Sequence, residues 1–140
     1  LGGSPGMSRS DLIAHMGQPE RVRSNDGGSL LEFPGGPFGK QTWFVSLDAA
    51  GKVVRSEQVL TEKNFNRIEP GMSREEVRDL LGRPGEVQML GRARGVVWSF
   101  RYENPNCNWF QVEISQQQQV RSAGNALAPE CDGPDDRADK

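Results

Sequence analysis

A tandem repeat is the feature that most restricts the fold of this sequence. The octapeptide PGMSRSDL at residues 5–12 returns 65 residues later as PGMSREEV at 70–77, and each copy runs on to a Gly-x-Pro triplet, at 17–19 and at 82–84. A period of this length exceeds that of a solenoid repeat and is typical of a duplicated small domain. Two adjacent copies of one fold most often form a shared surface, so the repeat points away from an active site.

Each copy of the repeat predicts a short capped helix, over residues 8–16 and 73–81. Ser8 and Ser73 take the N-cap position, and Asp11 and Glu76 follow three residues later, which is the spacing of a capping box. Asp11 makes the weaker box, because Glu or Gln is usual at that position. The glycines at 17 and 82 can end the helices in a left-handed conformation, and the prolines after them prevent continuation. Such short helices are unstable alone and need a sheet to pack on.

Strand signals are duplicated too, at an offset of 67 because the second copy has a loop longer by two residues. The matched segments are 30–33 with 97–100, 41–48 with 108–115, and 52–60 with about 119–126. Alternation with a period of two assigns one face of these strands to the core. The residues of that face are Trp43, Val45, Leu47, Phe110, Val112 and Ile114.

We therefore expect an α+β fold in which each repeat is one helix followed by a three-stranded antiparallel meander, with the helices on one face of the sheet. Residues 1–60 form the first repeat. Residues 61–127 form a short connecting helix, capped by Thr61, and the second repeat. Residues 128–140 form a C-terminal tail, which we expect to be disordered after Cys131 because it is acidic and lacks apolar anchors.

These motifs give the sequence a resemblance to a known family. The string PGMSREEVRDLLGRP at 70–84, followed by WSFRY at 98–102 and a closing hairpin, resembles the BamE (SmpA/OmlA) family of bacterial outer-membrane lipoproteins. In that family a Gly-Met-Thr/Ser helix, a Gly-x-Pro stop and a Trp-x-Tyr strand occur in the same order. The tandem arrangement is similar to beta-lactamase inhibitory protein, a secreted two-copy relative of the same fold. The resemblance covers about residues 5–125 and implies a BamE-like fold in each repeat.

Composition agrees with an exported protein and excludes some partners. The chain has 17 basic and 19 acidic residues and a formal charge of −2, so it lacks the basic footprint of a nucleic-acid-binding protein. No apolar run approaches the length needed to span a membrane. The resemblance implies a signal peptide and a lipidated cysteine before Leu1, so we expect contact with a membrane only through such an N-terminal anchor.

Two cysteines allow one disulfide. A bond between Cys107 and Cys131 closes a loop of about 25 residues and contributes roughly 3 to 4 kcal/mol in the chain-entropy model. We expect this bond in an oxidising compartment, and two free thiols in a reducing one. Their spacing matches no zinc motif, and the chain has a single histidine, so we expect no metal.

Candidate catalytic groups are few. His15 is the only histidine, and its equivalent in the second copy is Leu80, which favours a packed side chain over a catalytic one. Ser8 and Ser73 are better explained as helix caps than as nucleophiles, because no Gly-x-Ser-x-Gly context surrounds them. The glycine-rich segment 34–39 lacks the Lys-Ser/Thr of a phosphate loop. We therefore expect no catalytic residue, no cofactor and no enzymatic activity.

The sheet face opposite the helices is the candidate protein-binding surface. Its residues are Phe44, Arg101, Trp109, Gln111 and Glu113. Aromatic side chains, an arginine and small polar residues on one face are typical of a protein-binding patch. The alternative is that the C-terminal segment or the loop at 34–39 covers these aromatics.

Two functions follow from the resemblance. One is a non-enzymatic cell-envelope lipoprotein that serves as a structural or assembly accessory on the periplasmic side of the outer membrane, with a protein partner in the envelope. The other is a secreted or periplasmic inhibitor that binds an enzyme through a concave sheet, as the two-copy relative does. A lipidated precursor favours the first, and a plain cleavable signal peptide favours the second.

Overall fold

Two similar units, each with a helix and an antiparallel sheet, make up this chain. The structure is a computed structural model that describes residues 2–132, except the side chain of Ala93. Contacts between residues divide the chain into a first unit, which contains residues up to 35 and 41–59, and a second, which contains 36–40 and residues from 60 onward. Disorder is predicted after Cys131, and residues 133–140 of that segment lie outside the described range.

The first unit contains one helix and four strands. Its elements are α1 (Arg9–Met16), β1 (Arg21–Asn25), β2 (Gly28–Pro34), β3 (Thr42–Leu47) and β4 (Val53–Gln58). The strands pair as antiparallel neighbours in the order β1-β2-β3-β4. Leu12 of α1 packs with the buried side chains of one sheet face, Leu31, Phe33, Val45, Leu47 and Val53. The predicted arrangement, with a helix on one face of a sheet, is therefore confirmed in this unit.

The second unit repeats this order after a short connecting helix. Its elements are α2 (Glu62–Phe65), α3 (Arg74–Leu81), β5 (Glu86–Met89), β6 (Val96–Arg101), β7 (Asn108–Ile114) and β8 (Val120–Leu127). The strand order is β5-β6-β7-β8, again antiparallel throughout. Val77 and Leu81 of α3 are fully buried. Phe65 of α2 stacks on Phe110, with ring centroids 4.3 Å apart, and so covers one end of the sheet.

The α+β class is confirmed, but the prediction of three strands in each repeat is wrong. Each sheet has a fourth strand, β1 or β5, directly after the helix. These two strands are short, and their residues are mostly polar or exposed. They lie at sheet edges, where only one neighbour pairs with them, and they contain few apolar residues, one in β1 and two in β5, so they give a weak strand signal.

Both predicted helices and their caps are present. Ser8 accepts a hydrogen bond from the amide of Asp11, and Ser73 forms a complete capping box with Glu76. Gly17 and Gly82 end the helices with φ angles of 87° and 78°, and ψ angles near 180° instead of the predicted left-handed value. Only glycine adopts that combination readily, so both positions require it.

Matching backbone hydrogen bonds support the duplication. In the first unit the amide of Gly6 donates to Val53 O over 2.7 Å, and in the second the amide of Gly71 donates to Val120 O over 2.8 Å. The hairpin between the first two strands of each sheet differs as predicted, with two loop residues at 26–27 against four at 91–94. The second copy thus has an insertion of two residues before Val96.

Candidate protein-interaction surface

Strand register places most of the predicted binding face on one side of the second sheet. Arg101 pairs with Trp109, and Ser99 pairs with Gln111, so these side chains lie on the same face. The Gln111 amide donates to Ser99 Oγ over 3.1 Å. Glu113 continues this face and accepts a hydrogen bond from Arg121 over 3.0 Å. Arg101, Trp109, Gln111 and Glu113 thus share one face of the sheet, and a protein-binding role for them stays a prediction.

The prediction that this face stands open is wrong for its largest side chains. Arg101 and Trp109 are each only 5% exposed, and Phe44 in the first unit is 8% exposed. Buried side chains cannot contact a partner without a rearrangement. For Arg101 and Trp109, the alternative that the loop and the C-terminal segment cover the face is the arrangement that the structure shows.

A charged and aromatic cluster, here called the Arg101 centre, explains this burial. The guanidinium of Arg101 lies between two rings, with its carbon 4.6 Å from the centroid of Phe38 and 4.8 Å from that of Trp109. Its Nε and Nη2 each donate to the carboxylate of Glu130 over 2.7 Å, and its Nη1 donates to Pro37 O over 3.0 Å. A planar guanidinium suits this site because it can stack and form a bidentate pair at once.

Arg101 and Glu130 change each other's pKa values in opposite directions. The hydrogen bonds from Arg101 lower the pKa of Glu130 to about 2, although partial burial opposes the change. The same pairing raises the pKa of Arg101 above its ordinary value. Both groups are therefore charged at neutral pH, and Glu130 remains the counter-ion of a buried arginine.

A covalent bond holds the segment that carries Glu130. The disulfide between Cys107 and Cys131 is present, with Cα atoms 6.4 Å apart. The amide of Ala128 also donates to Cys107 O over 2.9 Å. We call residues 128–131 the C-terminal clasp, because this disulfide, this hydrogen bond and the Glu130 pair fix the segment against the end of β7.

Phe44 lies in the first unit, apart from the Arg101 centre. Its strand neighbours on the same face are Glu32 and Glu57, and the guanidinium carbon of Arg23 lies 5.6 Å from its ring centroid. Glu32 is also buried and lies 3.8 Å from Arg21. This part of the predicted face is thus a polar and aromatic cluster within the first unit.

An apolar groove of about 360 Å³ lies elsewhere in the second unit. Its apolar lining consists of Val87, Met89, Val96, Trp98 and Ile114. Met89 is 74% exposed and Val87 is 53% exposed. Arg74 and Arg94 also line the groove, together with Ser115, Gln116 and Gln118. Its volume lies near the lower end of the roughly 300–1,000 Å³ range of small-ligand sites.

This groove was not predicted from the sequence because one of its walls, strand β5, was not predicted. Met89 and Val87 alternate with Glu86 and Gln88, which is the pattern of a half-buried strand, but the run is only four residues long. Pairing of Met89 with Val96 and of Val87 with Trp98 then brings the apolar side chains together.

His15 is exposed, so the expectation of a packed histidine is wrong. The buried side of α1 is formed by Leu12, with Met16 partly buried beside it, and His15 points away from them. Within residues 2–132, His, Cys, Asp and Glu form no group of three that could hold a metal ion. No helix in that same range is long and apolar enough to cross a membrane.

A match to a known protein family covers most of the second repeat. Residues 57–121, just under half of the chain, match the family model of the outer membrane protein assembly factor BamE domain. The resemblance to BamE predicted from the sequence is confirmed for this segment.

Other comparisons add little. A search of curated proteins gives no significant match. Among solved structures, the chain is similar to a DUF4309 family protein from Bacillus subtilis, at 14% identity, with 86% of this chain and 78% of that chain covered and a TM-score of 0.34.

Proposed function

We propose that this chain is a non-enzymatic accessory protein of the bacterial cell envelope, and that it acts by binding another protein. The observation that carries the proposal is the BamE domain match over residues 57–121. BamE domains are accessory domains of outer-membrane assembly and interact with other proteins there. By that relationship, the chain serves as a structural or assembly component on the periplasmic side of the outer membrane.

The disulfide supports an envelope location. Disulfides persist in oxidising compartments such as the periplasm and are rare in the cytosol. The Cys107–Cys131 bond closes the clasp beside the Arg101 centre, so it has a structural role in the second unit. We further propose that the chain consists of two BamE-like repeats divided near residue 60, and that a lipid anchor before Leu1 attaches it to the membrane.

The inhibitor hypothesis receives less support from the geometry. It requires a sheet face with exposed side chains that grip an enzyme. Arg101, Trp109 and Phe44 are buried, so the largest side chains of that face are unavailable. The exposed large apolar side chains in the described part of the second unit are Phe38, Val87, Met89 and Leu127, and two of them, Val87 and Met89, line the apolar groove. We therefore favour the accessory function.

Affinity capture from two cell fractions tests the proposal. The oxidised protein is immobilised and exposed to a detergent-solubilised envelope extract or a cytosolic extract, and bound proteins are quantified by mass spectrometry. The same bait after reduction and alkylation is the control. We expect a small set of envelope proteins to be enriched about tenfold or more on the oxidised bait. Capture dominated by a secreted enzyme that loses activity on binding would support the inhibitor hypothesis, and equal capture from both fractions would contradict both.

A further inference from the structure

The two repeats can be compared position by position, and they differ at the residues that line the apolar groove. In both sheets the first hairpin has the same pairing, Ser24 with Ser29 in the first unit and Met89 with Val96 in the second. Two serines of the first repeat are thus replaced by Met89 and Val96. Leu31, the equivalent of Trp98, is fully buried, whereas Trp98 lines the groove. The apolar groove is an elaboration of the second repeat.

The hairpin insertion adds positive charge beside this groove. The loop at 91–94 has two residues more than its counterpart at 26–27, and it carries Arg92 and Arg94 in place of an Asp-Gly turn. Arg94 lines the groove, and Arg74 lines it from the start of α3. The charged residues in the lining are these two arginines, and its other polar residues are the neutral Ser115, Gln116 and Gln118.

From this combination we infer that the apolar groove is a docking site for an extended acidic segment of a protein partner, which presents apolar side chains flanked by Asp or Glu. The apolar side chains of the segment lie on Met89, Val87 and Trp98. Its carboxylates pair with Arg94 and with Arg74, which in the structure forms an exposed ion pair of 3.3 Å with Glu75. Arginine suits this role because its guanidinium binds a carboxylate through two parallel hydrogen bonds. Side-chain amides such as those of Gln116 and Gln118 can both donate to and accept from a peptide backbone.

Exposure of these side chains makes the site available. Met89 is the most exposed large apolar residue among those described, so its side chain contributes little to the core and is available for contact. The inference deepens the proposed function, on which it rests, by naming the surface and the chemistry of the partner.

Fluorescence anisotropy with three labelled octapeptide pools tests the inference on the oxidised protein. The first pool alternates Asp or Glu with Leu, Ile, Val or Phe, the second replaces the acids by Lys or Arg, and the third replaces the apolar residues by Ser. We expect the first pool to bind at least about tenfold more tightly than the others and to weaken as salt is raised. Equal binding of all three pools, or preference for the basic pool, overturns the inference.

Substitutions in the two repeats provide matched controls. Met89→Ser introduces the residue of the first repeat, and Arg94→Asn removes a charge at a left-handed residue where Asn is tolerated. Each should weaken binding of the acidic pool about fivefold or more, with an unchanged melting temperature because both residues are exposed. Two changes in the first repeat serve as controls. Val22→Ser, at the equivalent of the groove residue Val87, and Arg9→Asn, at the equivalent of Arg74, should leave binding unchanged.

Envelope capture separates failure of this inference from failure of the proposed function. If the wild-type protein and both groove variants capture the same envelope partner equally, the accessory function stands and the groove is not its site. If phosphatidylglycerol vesicles bind in an Arg94-dependent way while the acidic peptides do not, the groove meets a lipid surface, and the inference is wrong. If neither peptides nor envelope proteins bind, both proposals fail.

Discussion

Removal of the Glu130 carboxylate should destabilise the second unit. Two charge-assisted hydrogen bonds of 2.7 Å join it to Arg101, and such bonds contribute about 1.5–3 kcal/mol. Because the Glu130 side chain is 40% exposed, water screens the pair and places its contribution near the lower end. Glu130→Ala also leaves a guanidinium at 5% exposure without a counter-ion, which adds roughly 1 kcal/mol. We expect a loss of about 2–3 kcal/mol in unfolding free energy at neutral pH, measured by urea denaturation of the oxidised protein.

The stabilisation by Glu130 should be lost as the pH falls. The pKa of Glu130 is lowered from 4.5 to about 2 in the folded state, so its stabilisation is complete above about pH 4.5 and is lost as the pH falls toward 2. The matched control Glu130→Gln keeps the shape but has no charge. The stability difference between wild type and Glu130→Gln should therefore shrink steadily between pH 4.5 and pH 2. A constant difference across that range, or a Glu130→Ala loss below about 0.5 kcal/mol, would refute the role of the Arg101 centre.

Three further substitutions test other parts of the structure. Trp109→Ala should lower the unfolding free energy by about 3–5 kcal/mol in urea denaturation, because the side chain is buried against Arg101. A loss of less than about 1 kcal/mol would contradict the burial of Trp109. Gly82→Ala should cost about 1–3 kcal/mol, because its φ of 78° with an extended ψ suits only glycine, whereas Gly124→Ala, with open space around it, should cost little. Cys131→Ser should cost about 3 kcal/mol in calorimetry, and equal stability of this variant and the wild type would show that the clasp is held without the disulfide.

Local patterns in the sequence predicted the parts of the fold that local physics determines. The caps at Ser8 and Ser73 depend on side chains three residues away, and the alternation around Val45 and Val112 depends on strand geometry alone. These elements formed as predicted. The order of motifs in the two copies also predicted the matching hairpins and the longer loop before Val96.

Long-range contacts limited the prediction of the site. Alternation correctly assigned Arg101 and Trp109 to the face opposite the helix. It could not show that Phe38 and Glu130, which lie 63 and 29 residues from Arg101 in the sequence, contact Arg101 on that face. The pairing of Cys107 with Cys131 was a hint, since it returns the clasp to the end of β7. The groove was not predicted because Met89 contributes to it only through the pairing of β5 with β6, which is a contact between strands.

Site-specific photo-crosslinking in intact envelopes tests the central claim, that the second repeat binds a protein partner through its apolar groove. A photoreactive phenylalanine analogue replaces Met89 in one variant and its first-repeat equivalent, Ser24, in another. We expect a discrete crosslinked protein adduct from position 89, reduced by a second change, Arg94→Asn, and no adduct from position 24. Adducts of equal yield from both positions, or an adduct at position 24 alone, would contradict this claim.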